Sequence, residues 1–210
     1  MQLLLTLSIN KYNVLIIFWN IFLALIPCIV VFYTAKIIRN RKWNNFNVYD
    51  KIAFILIFFF WLIVLPNTAY LFLIVRHLVN YCHHFDTYRV CAEGTTWIVI
   101  FFFTYALIGL PTFYYALNKM AFVFKKVFNK LISLILPIVV IPLTIIGVML
   151  GLFERFNSWD ILIHPFNILR AGFGYFTDAN LFFNYLVLTL SLYLIYYGFD
   201  YFISKIVKND

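Results

Sequence analysis

IAFILIFFFWLIVLPNTAYLFLIV, Ile52 to Val75, carries no charged side chain from end to end. It is longer than the ~20 helical residues that cross ~30 Å of hydrocarbon, and an open strand there would leave backbone groups unpaired in lipid. Phe58, Phe59, Phe60 and Trp61 in its first half would have to face lipid or other helices. Similar runs lie on either side, roughly Val14 to Ala35, Trp97 to Leu117, Leu131 to Leu150 and Leu181 to Ile203. The 210 residues are 65% hydrophobic, 22% aromatic and 11% charged, with mean hydropathy +0.94, too apolar for one soluble core. The expected fold is an all-α polytopic membrane bundle of about five transmembrane helices, a single integral membrane domain over residues 1–210. The first run is longer than a signal-peptide core and no small-x-small site follows it, so it reads as a span.

The net charge of +8 is explained by topology and not by nucleic acid, because the cations flank apolar runs and do not gather on one soluble face. Lys36, Arg39, Arg41, Lys42 and Lys51 lie between the first two runs, Lys119, Lys125, Lys126 and Lys130 between the third and fourth, and Lys205 and Lys208 after the last. The opposite side holds Lys11, Arg76, Arg89, Arg155 and Arg170. Positive residues stay in the cytoplasm, which predicts N-terminus out, C-terminus in, and a cell-membrane location. Asn20 then lies about 9 Å inside the outer boundary at Val14. Asn67 follows Pro66, which removes a backbone donor and kinks its helix in the outer half of the second span. Tyr70 and His77 approach the same surface. Asn20 and Asn67 read first as helix-to-helix hydrogen-bonding glue, and second as ligand-facing groups.

Two outer loops are expected. The first, Arg76 to Thr96, holds Cys82, His83, His84, Asp86 and Cys91. An ordinary polar loop is the first reading; Cys82 and Cys91 also permit a disulfide on an extracytoplasmic face, and a metal site with His83 or His84, which matches no standard zinc spacing, comes last. No metal or cofactor is assigned. Cys28, inside the first span, reads as a small packing residue. The second loop opens in GLFERFNSWDILIHP, Gly151 to Pro165, where Arg155, Asn157, Ser158, Trp159 and Asp160 crowd a cation, an amide, a hydroxyl, an indole and a carboxylate beside a span. Ser158 or Asn157 is expected to cap a short helix starting at Trp159 and Asp160. The apolar Phe166 to Phe176 segment is expected to lie along the interface as an outer lid, with Thr177 or Asp178 capping the last span. In the plainer reading Trp159 marks the headgroup level, and Arg155 pairs with Asp160, Glu154 or a lipid phosphate.

The inner loops read as basic juxtamembrane segments that could hold anionic headgroups, and no glycine-rich phosphate loop is present. Pro111, Pro137 and Pro142 allow bends; Gly109, Gly147 and Gly151 allow close helix approach.

NIFLALIP (Asn20 to Pro27), LPNTAY (Leu65 to Tyr70) with His77 and Leu78 after it, and LGLFERFNSWDIL (Leu150 to Leu162) resemble the multi-pass membrane proteins grouped as domain of unknown function 1361. The resemblance covers most of the chain and implies its architecture. It singles out Asn20, Pro27, Pro66, Asn67, Tyr70, His77, Arg155, Asn157, Ser158, Trp159 and Asp160. The chain departs from the pattern where an Asp usually precedes the His, here the run Leu73 to Val75; where an Arg is usual, here Leu152; and where a second Pro is usual, here Ala69.

The residues fit a binding or assembly module best. Its outer cluster (Asn20, Asn67, Tyr70, His77, Arg155, Asn157, Ser158, Trp159, Asp160) would hold membrane lipids by the headgroup or another membrane protein, with no nucleic acid. A second reading is a membrane enzyme acting on a lipid-linked or envelope substrate at the extracytoplasmic face, with His77 and Asp160 as candidate catalytic base and acid. A third is a small transporter subunit, which the lack of ionisable groups deep in the spans disfavours.

Overall fold

The computed structural model describes the backbone of residues 2–38, 42–73, 75, 82–84, 89–91 and 96–208, and the side chains of residues 18–38, 42–73, 75, 99–100 and 102–206. Its helices are α1 (Gln2–Ile38), α2 (Val48–Val64), α3 (Pro66–Leu73), α4 (Thr96–Val127), α5 (Lys130–Phe153), α6 (Asp160–Ile163), α7 (Pro165–Thr177) and α8 (Ala179–Lys208). A 3-10 turn, Trp43–Asn45, precedes α2, and a short antiparallel ribbon, β1 (Cys82–His84) with β2 (Arg89–Cys91), lies between α3 and α4. The bundle is therefore all-α apart from that ribbon.

Among the described residues, four stretches are long and apolar enough to cross a membrane: Phe18–Ile38, Val48–Leu73, Lys130–Phe153 and Ala179–Ile206. The helix α4 is 32 residues long, carries Lys119, Lys125 and Lys126 toward its C-terminal end, and packs against α1, α3, α5 and α8. Much of the outer surface is apolar, with Phe22, Phe59, Phe60, Phe103, Leu134 and Leu190 among the exposed side chains, an arrangement that suits lipid and not water.

Residues 52–75 do not form one helix. Pro66 cannot donate to the carbonyl one turn back, so the chain turns at Leu65 and restarts as α3. Its neighbours repair the break: Asn67 Nδ2 donates to the Val64 carbonyl at 2.9 Å, and the Thr68 hydroxyl donates to that of Leu65 at 2.7 Å. Thr68, Leu65 and Leu71 are fully buried, and α3 sits among α1, α4 and α5. Glycines make that seat. A Cβ at Gly147 would fall 2.5 Å from Pro66 Cγ, and one at Gly109 would fall 2.8 Å from Leu71 Cβ and 2.9 Å from the Phe72 amide nitrogen.

The far end of the bundle is closed by rings. Trp43 packs on Phe128 at 5.0 Å between centroids, Phe124 on Phe58 at 5.1 Å and on Phe54 at 5.6 Å. Asn47 and Asp50 form a capping box at the start of α2, Asn129 caps α5, and Lys51 lies over Trp43. The same end carries a polar link between α4 and α8: Asn118 donates to the Tyr114 hydroxyl, which donates to Asp200 at 2.9 Å.

Candidate functional site

At the other end, the chain leaving α5 folds back over α3. The Leu150 carbonyl accepts from both Glu154 and Phe156, at 3.2 and 3.1 Å, and the reversal puts Arg155 at φ +59, a region that favours glycine. Arg155 is exposed, and its guanidinium meets no partner among the described residues. Gly151 lies where the turn closes on α3; a Cβ there would be 3.7 Å from the Tyr70 ring and 3.6 Å from the Phe156 carbonyl oxygen.

Ser158 departs from its expected role. It does not cap α6; its hydroxyl oxygen accepts from Asn67 Nδ2 at 3.0 Å, tying the loop to the proline break. Asn67 thereby spends both amide hydrogens, one on Val64 and one on Ser158. Capping runs the other way round from expectation, because the Asp160 carboxylate accepts from the Asn157 backbone amide at 2.6 Å and from its side chain at 3.4 Å. A carboxylate at the head of a helix needs such local donors, and here the preceding turn supplies them. Arg155 does not pair with Asp160 or Glu154. Trp159 is 42% exposed at the rim.

Asn20, on α1, hydrogen-bonds the hydroxyl of Tyr105 on α4, and Tyr70 packs against the cluster that holds Tyr105. Tyr105 is 2% exposed and escaped the sequence reading, since nothing in its run of aromatic and aliphatic neighbours marks it as a partner. The structure thus joins α1, α3 and α4 through Asn20, Tyr105 and Tyr70, and α3 to the loop after α5 through Asn67 and Ser158. His77 lies outside the described residues. Cys82 and Cys91 are described in backbone only.

The helix α7 presents Ile168, Ala171, Gly172 and Tyr175 inward and leaves Phe166, Leu169 and Phe173 exposed on the opposite face. Tyr175 is 1% exposed, and its hydroxyl finds no hydrogen-bond partner among the described residues. Burial, with the Glu154 charge nearby, pushes that phenol up to about 12. Asp178, not Thr177, caps α8 by accepting from Asn180 and Leu181.

The arrangement offers hydrogen-bonding amides and hydroxyls, an exposed guanidinium and an interfacial indole, which is equipment for holding a polar or anionic group. Asp160 is already engaged by the turn before it, which weakens it as a free base.

A helical bundle with four membrane-length apolar helices and a largely apolar outer surface has the character of a membrane protein. The chain belongs to the family described as protein of unknown function (DUF1361), which matches residues 19–195. That match takes in all of the NIFLALIP, LPNTAY and LGLFERFNSWDIL motifs. No curated protein and no solved structure matches the chain.

Proposed function

We propose that the Asn67 end of the bundle is a binding module at the outer leaflet of the cell membrane, and that its occupant is an anionic lipid headgroup. In this reading α4 is the fifth span, the N-terminus is outside and the C-terminus inside, and α7 lies along the outer interface as a lid with Phe166, Leu169 and Phe173 toward the lipid. The observation that carries it is Arg155: an exposed, unpaired guanidinium, held in a left-handed turn by two hydrogen bonds to Leu150, beside a Trp at the rim. A guanidinium presents a fork of donors that matches phosphate, and the backbone turn fixes where the fork starts.

Asn67 is engaged with Ser158, Asn20 with Tyr105, and Tyr70 lies beside Gly151, so their task is to set the geometry of the loop and its neighbouring helices more than to touch the headgroup.

Arg155→Gly tests the reading without disturbing the turn, because glycine is at ease at φ +59. Native mass spectra of the purified protein should show anionic phospholipid adducts that fall about tenfold in Arg155→Gly, consistent with ~1.4 kcal/mol for one lost charge-assisted contact. Unchanged adducts in a monodisperse variant would rule out the headgroup reading. Loss of a co-purifying membrane protein with lipid adducts intact would assign the surface to a protein partner instead.

A further inference from the structure

We propose that Cys82 and Cys91 are joined by an intramolecular disulfide that staples the connection between α3 and α4. The ribbon sets Cys82 directly opposite Cys91, with His83 opposite Val90 and His84 opposite Arg89. Opposed residues of an antiparallel ladder have Cα atoms ~4.5–5.5 Å apart, inside the ~4.4–6.8 Å over which disulfides close. A slip of one residue would break the pairing, so the register itself selects these two positions. The chain has 3 cysteines. The remaining one, Cys28, sits in α1 with its thiol donating to the Thr112 carbonyl at 3.4 Å.

The staple bears on the polar end of the bundle. The ribbon connects α3, which carries Asn67 and Tyr70, to α4, which carries Tyr105 and the glycine that seats α3. Closing it limits how far those helices can separate in the unfolded chain. In the reaction the two thiols lose two protons and two electrons as the S–S bond forms. A protein disulfide of an extracytoplasmic thiol oxidase takes up those electrons by thiol–disulfide exchange and leaves as the dithiol. The proposal rests on the outward placement of this loop given above.

The full-length protein is precipitated from cells with acid, denatured, and treated with a polyethylene-glycol maleimide with and without prior reduction. One adduct before reduction, from Cys28, and three after it are expected; Cys82→Ser should give two without reduction. Three adducts before reduction, or a covalent dimer on non-reducing gels, would overturn the proposal. A Cys28→Ala/Cys91→Ser variant separates that failure from a failure of sidedness, because a membrane-impermeant maleimide reaches Cys82 in intact cells only if the loop is outside. Labelling of the variant, with three adducts from the unaltered protein before reduction, would sink the disulfide and leave the orientation standing; no labelling, with one such adduct, would sink the orientation and leave the disulfide standing.

Discussion

Asn67 shows how one amide serves two purposes. Its first hydrogen goes to the Val64 carbonyl at the break in the helix, and its second reaches Ser158 on a loop 91 residues further along the chain. Leucine at this position keeps the volume but loses both bonds. A double-mutant cycle of Asn67→Leu and Ser158→Ala should give a coupling energy of about 0.6–1.7 kcal/mol, the range for side-chain hydrogen bonds between membrane helices. Denaturant titration in mixed micelles would measure it, and additivity would mean that the contact contributes nothing. The sequence marked both residues as polar groups beside a span, yet it read Ser158 as a helix cap. Cap and cross-link use the same hydroxyl, and only the return of the chain over α3 decides between them. Tyr105 was illegible for a related reason: a tyrosine among phenylalanines looks like core until Asn20 is brought against it.

Among elements, α3 is tightly held, and α8 is the least buried of the four membrane-length stretches. Ala in place of Gly147 would drive a methyl group to 2.5 Å from the Pro66 ring, which has no rotamer to retreat into. Gly147→Ala should therefore cost about 1–3 kcal/mol of stability, whereas Gly151→Ala, with 3.6 Å of room, should cost less than about 1 kcal/mol. Equal losses would mean that α3 is not wedged as described. In α8 the membrane-length stretch is only 17% buried, and the Tyr114 hydroxyl is the polar tie that fixes its lower half to α4. Tyr114→Phe removes a bond worth about 1 kcal/mol and should raise hydrogen exchange selectively in residues 196–206, with α5 unaffected. Hydropathy located most of these helices. It set their ends only roughly, because caps such as Asn47, Asn129 and Asp178 act through side chains outside the apolar runs.

Over the whole molecule, the two ends are built on different principles. One is packed with rings around Trp43 and Phe124 and edged with lysines, and the other is laced by amides and hydroxyls under an exposed arginine. Apolar composition alone made the bundle legible, and the charge distribution supplied an expected orientation. Which polar groups touch, and which are left over, depended on side chains far apart in sequence. Asp200 illustrates the gap: it stands near the end of an apolar run and looks like an interfacial charge, but the fold gives it a tyrosine on another helix.

The notches that receive α3 lie downstream of it, at Gly109 and Gly147. A ribosome delivers Pro66 long before either glycine exists, so the short helix must wait in an incomplete environment until two later segments arrive. Chains that stop before Gly147 would leave the proline ring without its slot, however apolar their sequences. Quality-control proteases in the membrane would then meet such truncated products as unfinished protein, and biogenesis of this chain becomes all-or-none at its fourth long helix.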